Sequence, residues 1–350
     1  MKKITFIIHS LKTGGSEQNC LNLFKYFKNL NYEIELIILT PAIELNIENI
    51  NLVKLNSSRS IFSIFKLYKY IIKNADSTIL SFSHQISLIL LPLIYLRKIK
   101  LITRNINVLS LDYMYKKGIY RKIEHIIVKK LYRYCGKIIC QSKGMKEDLI
   151  KNYNIKNDNI IVINNPMIEA SPSDNFCQDT NYFLFVGRLE KQKNLFDLID
   201  IFNMYKKAGG ENKLKILGNG SLRTDIVRYI GKHNIPDIEL VGQVKNPALY
   251  YSNADATLLT SHYEGFPNVL LESLQSGTPV ISYDCQSGPS EIIIHGKNGY
   301  LVPFLDKNLF CKSLFSIKEN PMLSLDIENS LKPFTLQSIG DLYREQLDEL

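Results

Sequence analysis

Along the first half of the chain, short apolar runs alternate with stretches whose apolar positions recur every three or four residues. Such runs, bounded by turn residues, have the look of strands buried on both faces, and the stretches between them have the helical period. The pattern predicts strands over 4–8, 33–39, 52–55, 78–82, 100–103, 137–141 and 160–163, with helices between. Regular alternation of strand and helix implies βα units and a parallel sheet. Residues 164–181 hold Pro166 and Pro172 and neither periodicity, so they read as a linker. The alternation then resumes, with strands predicted at 182–186, 214–217, 238–241, 256–260 and 280–282 and a closing helix over 338–350.

The chain is organised around residues 257–302, which contain L-L-T-S-H-Y-E-G-F-P-N-V-L-L-E-S-L-Q-S-G-T-P-V-I-S-Y. A short buried strand leads into the turn 261–266, which places Glu264 at a strand's carboxyl end, where open α/β sheets bind ligands. Pro267 suits the first helical position, and Val269, Leu270, Leu271 and Leu274 form an apolar face that stops near Gly277. Glu272 then lies roughly 7 to 8 Å along that helix, at about 1.5 Å per residue. Backbone N–H groups near Asn268 and Val269, with the helix dipole, favour an anion such as a diphosphate, and a carboxylate on each side suits sugar hydroxyls. By spacing alone, Glu264 is equally a loop charge and Glu272 a solvated helix face.

Other strand-to-helix loops carry candidate chemistry. In L-K-T-G-G-S-E, Gly14 and Gly15 permit a close backbone approach, and Ser16 is placed to cap a helix starting near Glu17. In G-R-L-E-K-Q-K-N, Gly187 allows the turn, Asn194 is placed as a helix cap with Asp197 three positions on, and Arg188 and Lys193 share one loop. A planar guanidinium fork and an ammonium point charge together can neutralise a diphosphate leaving group. The turns L-G-N-G (217–220) and S-G-P-S-E (287–291) also precede predicted helices.

With 350 residues, 45% hydrophobic and 22% charged, the chain suits two ordinary globular domains and shows no disorder signature. The apolar start over 4–8 is too short for a leader, and the longest apolar run, 86–96, is about half of the ~20 residues a membrane span needs. Six cysteines without metal-ligand spacing fit buried, reduced thiols in a cytoplasm. The net charge of +9 is concentrated in 97–137, where twelve Lys and Arg face only Asp112 and Glu124. A basic face serves nucleic acid, anionic lipid or an acidic substrate. No aromatic-rich recognition motif supports nucleic acid, so the expectation is none.

The E-x7-E pattern of Glu264 and Glu272 resembles the signature of glycosyltransferase family four, retaining hexosyltransferases of bacterial surface-polysaccharide type with the GT-B fold. Gly14–Gly15, Arg188 with Lys193, and Gly288–Pro289 match the family in order, and N-N-P at 164–166 resembles its hinge. The resemblance implies two Rossmann-like α/β domains facing each other across a cleft. Residues 1–166 would bind the acceptor, 167–180 would link, 181–335 would bind the nucleotide-sugar, and 336–350 would cross back to the first domain. It implies Glu264, Arg188 and Lys193 as catalytic groups. Gly14, Gly15, Gly187, Arg188, Lys193, Glu264, Gly265, Phe266, Asn268, Val269 and Glu272 would hold the donor, with Glu272 toward the ribose, and 242–245 would border the base. Many relatives carry a histidine at the end of a strand in the first domain, where this chain reads Thr103-Arg104-Asn105, so Arg104 and Asn105 or else His84 take the acceptor side.

The implied reaction moves a sugar, from a UDP-sugar above other donors, to a glycan that is carried on lipid (capsule, O-antigen or lipooligosaccharide). The protein would work in the cytoplasm, peripherally on the anionic inner face of the plasma membrane. No cofactor and no metal are implied, and the sequence has no D-x-D pair. A sugar-nucleotide epimerase of the same fold is the alternative within enzymes, and a basic nucleic-acid-binding protein the alternative outside them.

Overall fold

The computed structural model describes every residue except 1, 13, 46, 48–49, 56–59, 75, 98, 116–117, 168–179, 245 and 350, and gives backbone alone for 60–63 and 97. The chain divides into two compact units, Met1–Ile168 with Phe334–Leu350, and Glu169–Pro333. Most of the linker expected over 167–180 lies outside the described residues, as does Cys177; the five described cysteines are buried and free.

The first unit is built on a seven-stranded sheet of β1 (Lys3–Ile8), β2 (Glu33–Ile38), β3 (Leu52–Lys54), β4 (Thr78–Ser81), β5 (Leu101–Arg104), β6 (Lys137–Cys140) and β7 (Ile160–Val162). Its order is β3-β2-β1-β4-β5-β6-β7, and every pairing is parallel. Ile4, Phe6 and Ile8 of β1 enter one core while Ile7 enters the other, so helices cover both faces. The helix Leu336–Asp348 belongs here, with Ile339, Tyr343 and Leu347 in the core below Phe6 and Phe24. It approaches the helix Gly15–Asn29 so closely that a Cβ on Gly340 would lie 2.7 Å from the Tyr26 ring, while Tyr26 Oη donates to Asp341 Oδ1 at 2.7 Å.

The second unit repeats the scheme with β8 (Tyr182–Val186), β9 (Lys213–Leu217), β10 (Ile238–Gly242), β11 (Ala256–Leu259), β12 (Val280–Asp284) and β13 (Gly299–Pro303), ordered β10-β9-β8-β11-β12-β13 and again parallel. Phe183 and Phe185 face one core, Tyr182 and Leu184 the other. The edge strand β13, which the sequence pattern did not predict, pairs along all of β12. In both sheets the winding reverses beside the first strand of the unit, between β1 and β4 and between β8 and β11. The carboxyl ends flanking such a reversal diverge, and the gap there is where open α/β sheets accept ligands.

Candidate functional site

In the second unit, three loops converge at the reversal. The first follows β8. Gly187 donates its N–H to Leu217 O at 3.0 Å, and a Cβ on Gly218 (φ 129°) would sit 1.9 Å from the Gly187 carbonyl, so only glycine fits there. This backbone-on-backbone packing fixes the start of the loop. A single turn, Lys191–Lys193, then leads to Asn194 in the left-handed conformation (φ 49°). Asn194 precedes the helix Leu195–Lys207 but makes no side-chain cap, and Asp197 pairs with Lys307 at 2.8 Å, so the expected capping box does not form.

The loop after β11 is stitched to the first. Thr260 Oγ1 donates to Lys193 O and Asn194 O at 3.2 and 3.3 Å, His262 N to Gln192 O at 2.8 Å, and Gln192 Nε2 to Tyr263 O at 2.9 Å. The result is a 2.6 Å ion pair between Lys193 Nζ and Glu264 Oε1, with side chains 12% and 8% exposed. Seventy-one residues apart in sequence, the two groups meet on loops whose own hydrogen bonds hold them in register. The third loop, after β12, closes on the second: Ser287 Oγ donates to Gly265 O at 3.0 Å, and Gly288 (φ 100°) packs under Pro267, where a Cβ would be 2.6 Å from Cδ. Cys285 lies beside this site, its thiol pushed up by burial and by the Glu264 charge.

The helix Asn268–Gln275 begins one residue later than expected, because Pro267 is its extended N-cap and not its first turn. Asn268 and Val269 sit at that end with Glu264 four residues before it; Phe266 is buried. Glu272 is partly buried one turn further, where its Oε2 accepts from Tyr251 Oη at 2.9 Å. Desolvation raises its pKa, and the tyrosine's hydrogen bond partly opposes this. Nothing in the local sequence marks Tyr251 as its partner. Arg188 is exposed at the opposite end of its loop from Lys193; its carbonyl accepts from Glu190 N at 2.9 Å, no hydrogen bond or ion pair reaches its guanidinium from the described residues, and its charge adds to the Ser221 hydrogen bonds that hold the Glu190 carboxyl down. Of the loop 242–245 only Lys245 lies outside the described residues, and Gly242 O accepts from Gly218 N at 2.7 Å. The geometry thus joins Gly187, Lys193, Glu264, Gly265 and Gly288 into one hydrogen-bonded and packed frame, with the Arg188 guanidinium exposed at its rim and Glu272 set apart.

The first unit's reversal is furnished differently. Gly14, in extended backbone (φ −169°), is the N-cap of the helix Gly15–Asn29; Ser16 lies inside that helix and makes no cap, its Oγ accepting instead from Arg104 Nη1 at 3.4 Å. Arg104, only 2% exposed, also donates from Nη2 to Asn165 Oδ1 at 2.5 Å and from Nε to Tyr343 Oη at 3.2 Å, with its guanidinium 5.5 Å above the Phe82 ring. Its donors are thereby turned to the unit's own fold. Asn105 is buried, gives its Nδ2 proton to Asn107 O at 3.0 Å and leaves Oδ1 without a partner. His84 follows β4, its Nε2 3.3 Å from Tyr113 Oη and 3.6 Å from Glu124 Oε1. The His84 hydrogen bond is the main cause that holds the Glu124 carboxyl down at about 2. His9, after β1, was not singled out in the sequence; burial lowers its pKa, and its Nε2 has no partner, as has Nδ1 of His84. A histidine directly after the first strand of such a sheet was the signal available.

Comparison with known proteins gives this arrangement a context. Residues 13–168 match the model of Glycosyltransferase Family 4, and residues 167–332 that of Glycosyl transferases group 1. The chain is 27% identical over 349 residues to the N-acetylgalactosamine-N,N'-diacetylbacillosaminyl-diphospho-undecaprenol 4-alpha-N-acetylgalactosaminyltransferase of Campylobacter jejuni, covering 95% of this chain and 94% of that one. It is 28% identical over 330 residues to the amylovoran biosynthesis glycosyltransferase AmsD of Erwinia amylovora, covering 90% and 89%. Among solved structures it is similar to the apo form of the lipopolysaccharide outer core galactosyltransferase WaaB (TM-score 0.77, 22% identity, 99% of this chain and 100% of that one). It is also similar to Anabaena HepE in complex with UDP and glucose (TM-score 0.77, 15% identity, 100% of both chains).

Proposed function

Since the chain belongs to the glycosyltransferases that join a Family 4 domain to a group 1 domain in the GT-B fold, we propose that it transfers a hexose from a UDP-sugar to a lipid-linked surface glycan, with retention and without a metal. The observation that carries this reading is the Lys193–Glu264 pair, held on interlocked loops beside the Asn268 helix end. A buried ammonium paired to one carboxylate is poised to exchange part of that interaction for diphosphate oxygens, while the helix N-terminus accepts the remaining charge. Arg188, exposed at the rim, adds a guanidinium for the same group. Together they supply, without a cation, the charge stabilisation that a departing nucleoside diphosphate needs.

In the proposed step the bond from the sugar's anomeric carbon to the phosphate oxygen breaks as the acceptor oxygen bonds to that carbon on the same face. The acceptor's proton passes to the departing phosphate. Glu264 accepts hydrogen bonds from sugar hydroxyls and orients the ring, and Glu272 receives the ribose hydroxyls. The names of relatives support the choice of substrates: the Campylobacter protein's names an alpha transfer to a diphospho-undecaprenol-linked sugar, and HepE was crystallised with UDP and glucose. The deciding experiment is a panel of UDP- and GDP-sugars, scored by thermal shift and transfer, with the product's anomeric configuration read by NMR and the assay repeated in excess EDTA. An inverted product, or activity lost to EDTA and restored by manganese, overturns the mechanism.

A further inference from the structure

In the second unit, the loop after β8 begins with a charged pair that does not form. Glu190 N donates to Arg188 O at 2.9 Å, which closes a three-residue turn centred on Leu189. Leu189 is buried in the core, and its backbone is fastened to the turn after β9: its N–H donates to Asn219 O and its carbonyl accepts from Leu222 N, both at 3.0 Å. A Cβ on Gly220 would lie 2.5 Å from the Leu189 carbonyl oxygen, so the two turns are in close backbone contact. A guanidinium and a carboxylate two residues apart on such a turn are natural partners, and a bidentate fork is the geometry they favour. Yet no ion pair reaches the Arg188 guanidinium from the described residues. The Glu190 carboxylate is turned to Ser221 instead, accepting at Oε1 from Ser221 N at 2.9 Å and at Oε2 from Ser221 Oγ at 2.7 Å. The Ser221 N–H, then its hydroxyl, and last the charge of Arg188 hold the Glu190 carboxyl below the ordinary glutamate range, so it is ionised at neutral pH and within the field of Arg188. Ser221 also lies two residues before the helix Arg223–Lys232, whose positive end favours a carboxylate there.

We propose that Ser221 is a positioning residue for the donor site: by engaging both oxygens of Glu190, it keeps the Arg188 guanidinium open to the donor diphosphate. The inference rests on the diphosphate role of Arg188 proposed above. Ser221 touches neither the donor nor the reacting atoms, and acts through Glu190 alone. Without its donors the carboxylate is released beside Arg188 and pairs with it, and a diphosphate then has to displace that pair. The loss is bounded by the strength of an exposed ion pair, which sets it at about two- to fivefold in affinity. The other role open to the same two bonds is a strap between the loops after β8 and β9. That strap exists without them, in the backbone bonds of Leu189 to Asn219 and Leu222, the bond from Gly187 N to Leu217 O, and the packing of Gly218 on Gly187. What the Ser221 bonds add is the capture of the one carboxylate that competes for Arg188.

The test is a double-mutant cycle in the full-length chain, with UDP as the probe and affinity read by calorimetry beside melting temperature. Ser221→Ala takes away the hydroxyl and leaves the N–H, whereas Ser221→Pro takes away both donors. UDP should bind about twofold more weakly to the first and about three- to fivefold more weakly to the second. Adding Glu190→Gln should restore the affinity of either, because the amide brings no charge to set against Arg188. In an Arg188→Ala background, Ser221→Ala should cost nothing further. A strap alone predicts that Glu190→Gln restores nothing and that affinity falls only as melting temperature falls. Should Ser221→Pro fail to fold, Ser221→Ala with and without Glu190→Gln still decides. Wild-type affinity in Ser221→Ala, a loss that Glu190→Gln does not relieve, or a loss that persists in Arg188→Ala overturns the proposal. If Arg188→Ala weakens UDP and Ser221→Ala does not, the positioning role falls alone. If Arg188→Ala binds UDP as the wild type does, the diphosphate role of Arg188 falls and this role falls with it.

Discussion

The two sheets have the same winding and reverse at the same place, yet the charged groups gathered there are used differently. At the β8/β11 reversal, Lys193 has Glu264 as its ion-pair partner and Arg188 has none among the described residues, so both cations can turn to a ligand. At the β1/β4 reversal and the neighbouring β5, Arg104 donates to Ser16, Asn165 and Tyr343, and His84 is flanked by Glu124 and Tyr113. Position in a fold therefore nominates a site, and the prior engagements of its side chains decide what the site can do.

The contrast is broken most severely by Lys193→Ala or Arg188→Ala. Either is expected to lower kcat/KM by roughly 10²-fold or more, as removing one donor to a developing anion does, with melting temperature nearly kept in Arg188→Ala, whose side chain is exposed, and lowered in Lys193→Ala, which leaves the buried Glu264 carboxylate unpaired. Glu264→Gln should lower kcat by a comparable factor and leave donor affinity largely intact. Wild-type kinetics in these variants would refute the assignment. Arg104→Leu should do the reverse: about 2–3 kcal/mol lost in urea unfolding, because buried acceptors are orphaned, with UDP affinity unchanged. A kinetic defect at full stability would instead return Arg104 to the acceptor site.

A smaller effect separates Glu272 from Glu264. Its raised pKa means that the carboxylate is lost on acidification at a higher pH than for an ordinary glutamate, so if Glu272 receives the ribose hydroxyls as proposed, donor affinity should decline earlier as pH falls. Tyr251→Phe removes the contact that lowers this pKa, and should weaken the donor several-fold while moving the decline to still higher pH. A pH profile unmoved by Tyr251→Phe would show that the tyrosine does not tune Glu272. The smallest effect concerns Glu124. Held down at about 2 against an ordinary 4.5, it contributes stability that is present above 4.5 and lost as pH falls toward 2. Allowing for its partial exposure, Glu124→Gln should cost about 1–2 kcal/mol at neutral pH, with the difference from wild type vanishing in acid. A difference that persists at the lowest pH would argue against the ionic cause.

The parallel sheets were legible because strands buried on both faces write continuous apolar runs, which is why β1, β2 and β8 stand out from periodicity alone. β13 did not, since G-Y-L-V-P opens on glycine and closes on proline and takes its strand conformation from β12. The caps that local sequence offers at Ser16 and Asn194 do not form, for a related reason: tertiary demand overrides them, Arg104 drawing on Ser16 and the loop geometry turning Asn194 left-handed. Lys193 and Glu264 could be proposed as partners in one site only through resemblance, because their meeting depends on a loop-to-loop bond pattern that no local spacing encodes. Tyr251 and Ser221, the partners of Glu272 and Glu190, left no trace in periodicity, which reports that a helix has two faces and not which residues of other elements meet them.

The helix Leu336–Asp348, wedged against Tyr26 through Gly340, has a consequence for how the polypeptide is born. In order of synthesis the second unit has its whole sequence at Pro333, whereas the first, begun earlier, still lacks Ile339, Tyr343 and Leu347 and the hydroxyl that Arg104 needs. The expected consequence is that the first unit closes last, against the usual N-terminal-first order. A released chain truncated after residue 333 should resist protease across 181–333 and be cut across 1–167; equal resistance of both would show that the first unit closes without its last helix.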